Sequence, residues 1–384
     1  MSRIRYLIII LIVLIGFTGA FLSGYFLKSF FDSRVNEFPV LNQAYNILTD
    51  HANIELPDST SIEYGMIRGM LDASGDRYAV FLEPVQHELE TNSLQGSFGG
   101  IGVELNQNQN GDILIYPISG GPASKAGIQS GDQLLTIDDL IITQDVSIDD
   151  VHAAISGPIG DKMKIVTSRK ANDSPLEFTI KRELIHLPSV TWHIDPDYSM
   201  VGIINVNIIA ESTPDEIQNA VSELERNGAA HFILDLRNNG GGLLSAGVES
   251  AKLFLKSGVV IQQQYRGEDV ESFAVNKPGP LENISLLILV NRSTASAAEI
   301  VAGSLQAHNR ALLVGEPTFG KDSIQLVFDL LDDSSLHVTA AKWWIPGVDP
   351  PISENGLQPD VSVLPGEAGT DLILKVAIQT LLEN

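Results

Sequence analysis

The sequence predicts a multidomain α+β protein, and three observations carry that prediction. Leu7 to Leu27 is an apolar run without a charged residue. Gly96 to Arg182 holds short β-rich runs punctuated by Gly, Asp and Asn, whereas strand-like and helix-like segments alternate from Val201 onward. These divide the chain into a transmembrane helix over 1–28, a helical segment over 29–95, a small β-barrel-like module over 96–183 and an α/β core over 184–384. A length of 384 residues suits two or three domains of roughly 150 residues each.

At about 1.5 Å per residue, Leu7 to Leu27 extends about 31 Å as a helix, the thickness of a bilayer core. Arg3 and Arg5 precede it, which places the amino terminus in the cytoplasm and everything after Lys28 outside. A cleaved signal peptide is the rival, kept open by Gly16, Ala20, Ser23 and Gly24. The run is longer than a signal peptide's apolar region and lacks an A-x-A triplet, so an uncleaved anchor is expected. Either way the working domains are extracytoplasmic. With 24 basic and 48 acidic side chains, a net charge of −24 opposes binding to nucleic acid or anionic lipid. The absence of cysteine excludes disulfides, thiolate zinc sites and a cysteine nucleophile.

Between Ser33 and about Gln95, Val40, Ala44, Ile47 and Leu48, then Ile62, Met66, Met70 and Leu71, recur at helical spacing on either side of Pro57-Asp58. The β-rich module starts with Gly99-Gly100-Ile101-Gly102-Val103, a glycine loop entering a strand, where successive amides can converge on an anion. Ala126-Gly127-Ile128, Gly131-Asp132-Gln133-Leu134 and a Ser147-capped helix follow. Together these resemble a PDZ domain. The resemblance implies a groove that takes an extended peptide by strand addition, with the amides of Gly100, Ile101 and Gly102 on its terminal carboxylate.

In the core, Met200 to Ile208 reads as strand, Thr213 to Asn227 as an amphipathic helix, His231 to Leu236 as a buried strand and Leu243 to Leu255 as helix. Leu286 to Val290, Ser296 to Gln306 and Ala311 to Val314 continue the alternation. Chemistry belongs where strands hand over to helices. The first handover, Arg237-Asn238-Asn239-Gly240-Gly241-Gly242, presents free amides but lacks the G-K-[ST] ending of a phosphate loop. At the second, Thr294-Ala295-Ser296-Ala297-Ala298-Glu299, small neighbours leave the Ser296 hydroxyl approachable and the helix dipole faces any oxyanion formed there. Ordinary capping would explain that serine equally well unless a base reaches it.

His308 is about 18 Å along the same helix, and His193 and His337 read as ordinary strand residues. Gly315-Glu316-Pro317-Thr318-Phe319-Gly320-Lys321 offers a lysine instead, which serves as base only if burial lowers its pKa from about 10.4. With Gln325 four residues beyond Lys321, these motifs resemble the carboxyl-terminal processing peptidases, or tail-specific proteases. The resemblance runs from about Tyr64 to Val363. It implies a crotonase-like core, Ser296 as nucleophile, Lys321 as base, Gln325 hydrogen-bonded to the lysine, and an oxyanion hole from Ala297 with Gly242, or else Gly241. No metal or organic cofactor is implied, and the partners are protein or peptide substrates with accessible carboxyl-terminal tails.

Two positions depart from the family pattern: Ala298 replaces a frequent second serine, and Asp322 follows Lys321 where glycine is common. Adjacent residues of an extended segment face opposite ways, so Asp322 is expected to point away from the lysine. Of three N-x-S sequons, at Asn172, Asn283 and Asn291, the last lies inside the serine motif, which favours a bacterial envelope over a glycosylating secretory route. An anchored PDZ adaptor with an inert core, or an acyl-thioester enzyme of crotonase type, are the competing classes. Neither gives a reason for the serine, lysine and glutamine together.

Overall fold

A computed structural model describes residues 38–108, 110–169, 174–366 and 371–383. The expected anchor and the Asn172 sequon lie outside them. Among the described residues no helix is long and apolar enough to cross a membrane. The chain forms two compact units, one up to Ile67 and one from Arg68 onward. In the first, helix Pro39–His51 starts with proline at its first turn and buries no residue.

The segment over 29–95 is not helical throughout. Helices Ser59–Ser74 and Pro84–Gln95 are separated by a short strand, Val80–Leu82. Tyr78 to Leu82 is aromatic and apolar without helical period, and it pairs antiparallel with the strand Ser335–Trp344, Val80 opposite His337. Phe81 is thereby buried, which contributes roughly 1.5–3 kcal/mol. Gly96, in the left-handed conformation, ends the second helix.

Strands from Val103–Gln107 through Leu176–Lys181 then form a six-stranded antiparallel sheet. Alternate residues such as Met163, Ile165 and Thr167 point inward, under helix Ile148–Ile155. Ser147 caps that helix by accepting from the Asp150 amide. A ribbon of Ser97–Gly100 with Glu183–His186 runs past the expected boundary at 183. Arg182 ties the helix to this ribbon by donating to the carbonyls of Ile155 and Ala154.

The core is a second six-stranded sheet. Val190–Ile194 lies antiparallel at one edge, followed in parallel order by Val201–Val206, His231–Asp235, Ser285–Val290, Leu312–Gly315 and Val361–Ser362. Its two central strands carry unbroken apolar runs, Phe232 to Leu234 and Leu286 to Val290, because both faces are covered there. Phe232, Leu234, Ile288 and Val290 pack under helices Thr213–Arg226, Leu244–Lys252 and Ala297–Ala307. Ile233, Leu287 and Leu289 pack under helix Leu372–Glu383 on the other side. A further antiparallel sheet, centred on Ser335–Trp344, joins Val80–Leu82 and Ser323–Asp329, and its strand Val259–Tyr265 packs against the helix that follows Ser296.

Candidate active site

Ser296 stands at the handover from Ser285–Val290 to Ala297–Ala307, with φ 54° and ψ −121°. That conformation costs a side-chain-bearing residue about 1–3 kcal/mol. The surroundings hold it there. Glu299, fully buried, reaches back to accept from the Ser296 amide at 2.9 Å. The same carboxylate accepts from the Gly320 amide at 2.7 Å, the Lys321 amide at 2.9 Å and the Thr318 hydroxyl at 2.5 Å. One carboxylate therefore joins the serine turn to the lysine loop. Burial pushes its pKa up while these four donors oppose the rise. The S-x-x-E spacing of a capping box was readable in the sequence, but the two loop amides it also serves were not.

The glycine loop is fixed to the serine turn by Asn239, which is wholly buried. Its side chain donates to the Val206 carbonyl and accepts from the Gly241 amide, each at 2.8 Å, while its own carbonyl accepts from the Ala295 amide at 3.0 Å. Thr294 Oγ1 adds a bond to the Leu236 carbonyl. A Cβ on Gly241 would lie 2.8 Å from the Ala295 carbonyl oxygen and 3.0 Å from the Ala297 nitrogen, so only glycine lets the loops approach this closely. The Gly241 amide is already engaged by Asn239. Those of Gly242 and Ala297 make no turn or loop hydrogen bond among the described residues.

Ser296, Gly242, Lys321 and Gln325 line one cavity of about 260 Å³. Lys321 Nζ donates to Gln325 Oε1 at 2.6 Å and lies 5.3 Å from the centre of the Tyr78 ring. Gln325 in turn donates to the Tyr78 carbonyl. The even spacing of 321 and 325 puts both on one face of an extended chain. No hydrogen bond links Lys321 to the Ser296 hydroxyl among the described residues. Burial lowers the Lys321 pKa, against the upward pull of Glu90, Asp76 and Glu299. Asp322 is not among the charges acting on it.

Sequence reasoning missed the two other titratable members of the cavity wall, Glu90 and His337. His337 is a strand residue, but a buried one facing the site and not an ordinary one. Burial lowers its pKa, against the pull of Glu90. Ser335, His337 and Thr339 put polar side chains on one face of a sheet strand, and that stripe was the available signal. His308 follows the end of helix Ala297–Ala307 and meets the Val259 carbonyl, while His193 is exposed on an edge strand.

A larger concavity, about 580 Å³, opens on the β module between Val103–Gln107 and helix Ile148–Ile155. Phe98, Val103, Leu105, Ile118, His152 and Ile185 are among the residues that line it. Gly100 lies in the ribbon opposite Glu183, Ile101 is buried in the module's core, and Gly102 has φ 70°. The Ile101 and Gly102 amides make no turn or loop hydrogen bond among the described residues.

A strained serine at a helix start, beside a half-buried lysine, belongs to the chemistry of serine hydrolases. The comparisons narrow that class. A family model described as peptidase family S41 matches residues 200–363. A carboxyl-terminal-processing protease of Picosynechococcus sp. is 35% identical over 333 residues, covering 84% of this chain and 79% of that protein. One from Synechocystis sp. is 37% identical over 302 residues, covering 77% and 70%. Among solved structures, a photosystem II D1 C-terminal processing protease is 29% identical and covers 83% of this chain and 86% of that one, with a TM-score of 0.44. The chain belongs to the carboxyl-terminal processing proteases of peptidase family S41 and is a serine-type peptidase.

Proposed function

We propose that this peptidase is an anchored, extracytoplasmic endopeptidase that works through a Ser296–Lys321 dyad and selects chains by their carboxyl-terminal tails. The observation that carries the dyad is the shared cavity, in which Ser296 stands at a helix start and a half-buried Lys321 is oriented by Gln325. Neutral Lys321 takes the Ser296 proton as Oγ attacks the scissile carbonyl carbon, and the amides of Gly242 and Ala297 receive the oxyanion. Lys321 gives that proton to the leaving amine as the C–N bond breaks, then activates the water that hydrolyses the acyl-enzyme. The lysine must turn from Gln325 toward the serine, a rearrangement in keeping with the looser contacts of substrate-free sites. Gly241 is the weaker oxyanion candidate, because its amide already serves Asn239.

The names of the relatives support action at carboxyl termini. The module's concavity and the Ile101 and Gly102 amides, which make no turn or loop hydrogen bond among the described residues, support PDZ-type capture of the tail. Anchoring rests on Leu7 to Leu27 and the preceding arginines.

Ser296→Ala and Lys321→Ala should each abolish cleavage of a peptide with an apolar carboxyl tail while the folded circular-dichroism spectrum persists. Turnover retained by either variant overturns the dyad. A serine-reactive probe should label Ser296 alone, and more rapidly as pH rises through neutrality.

A further inference from the structure

We propose that His87, Glu90 and His337 form a binding site for a divalent transition-metal ion of the zinc class in the wall of the catalytic cavity, and that its occupation inhibits the peptidase. One ligand atom from each residue lies within 4.8 Å of the others. His87 and Glu90 are three apart on helix Pro84–Gln95, the spacing that shares a helix face, and His337 comes from the facing strand. His337 Nε2 stands 3.3 Å from Glu90 Oε2. A tetrahedral zinc ion with bonds of about 2.0–2.1 Å sets its ligands roughly 3.4 Å apart. Two imidazoles and a carboxylate, with a fourth position open, make a donor set that zinc accepts.

The surroundings of His87 provide the second observation. Its Nε2 meets Asp329 Oδ1 at 3.0 Å, while Nδ1 is buried without a hydrogen-bond partner among the described residues. An imidazole fixed by a carboxylate at one nitrogen and left with an unused lone pair at the other is how metal-binding histidines are oriented. Ser335 Oγ, 3.2 Å from His337 Nε2, is the contact that the ion would replace.

Glu90 and His337 line the same cavity as Ser296 and Lys321, so an ion held there occupies space that a substrate needs beside the serine. The inhibitory arm rests on the Ser296–Lys321 reading; the binding arm does not.

The full chain in detergent, stripped with EDTA, is titrated with Zn²⁺ by calorimetry and with Co²⁺ by visible absorption. One equivalent should bind, cobalt should show the intense bands of four-coordinate geometry, and peptide turnover should fall at least tenfold in step with occupancy and return with EDTA. His87→Gln and His337→Gln each remove a ligand and should weaken binding by more than the roughly 10–100-fold that loss of an outer-shell partner costs, and move inhibition to higher zinc by the same factor. Absence of stoichiometric binding, or unchanged affinity in both variants, overturns the site. Binding that leaves turnover unaltered overturns the inhibition. If the metal-free protein cleaves nothing, the peptidase reading fails while calorimetry still decides the site.

Discussion

Two glycine-rich loops hold backbone amides that make no turn or loop hydrogen bond among the described residues, and they are built to different tolerances. In the core, a Cβ on Gly242, at φ 145°, would lie 2.2 Å from the Ile209 carbonyl oxygen, which is backbone bridged to the glycine loop itself. In the β module, a Cβ on Gly102, at φ 70°, would meet Ile185 Cδ1 at 3.3 Å and Pro122 Cδ at 3.4 Å, both side-chain atoms. The core amide is aimed by main chain that cannot yield, the module amide by side chains that can. Oxyanion stabilisation needs donors placed before the charge develops, whereas capture of a peptide tail tolerates adjustment.

The largest expected effect tests the rigid loop. Gly242→Ala should reduce kcat by about 10²–10³-fold, as loss of one oxyanion donor does, with affinity for a tail peptide retained. Steady-state kinetics with a tail-bearing peptide measures it, and a loss below tenfold would place the oxyanion donor elsewhere. Next is the carboxylate that joins the serine turn to the lysine loop. Glu299→Gln keeps the shape but turns an amide toward backbone donors, so unfolding free energy should drop by about 2–3 kcal/mol in a urea titration. An unaltered midpoint would mean that the four hydrogen bonds are not what holds the loops.

The softer loop is tested by discrimination. A peptide ending in a free carboxylate should bind roughly tenfold tighter than its amidated twin, the value of one or two charge-assisted hydrogen bonds. In Gly102→Ala, where a side chain must enter left-handed backbone, that ratio should fall toward one in fluorescence titrations. A ratio unchanged by the substitution would remove the loop from tail recognition.

How much of this was legible follows from the range of the signals. The apolar runs at Phe232 to Leu234 and Leu286 to Val290 announced strands covered on both faces, and the motifs at Ser296 and Lys321 announced the handovers. Local pattern cannot tell which distant segments meet. Gln325 is held by the Tyr78 carbonyl, 247 positions away, and Val80 pairs with His337. Both contacts come from a stretch that reads as part of a helical spacer. Glu90 enters the cavity from the same quarter, which is why a charge acting on the lysine was invisible until the chain was folded.

The smallest effect concerns that electrostatic setting. In the proposed dyad the active form is neutral Lys321, and burial lowers its pKa, so kcat/KM should rise with pH along a limb whose midpoint lies below the ordinary lysine value of about 10.4. The same sign holds for stability: the unfolded lysine binds a proton that the buried one releases, so this group's contribution improves as pH rises through the depressed value. Asp76 favours the charged lysine and also fixes Thr339 through its hydroxyl and amide. Asp76→Asn, assayed in EDTA, should therefore move the limb to lower pH by a fraction of a unit. A shift upward would mean that Asp76 acts on Lys321 by positioning Tyr78 and the strand, with its charge secondary.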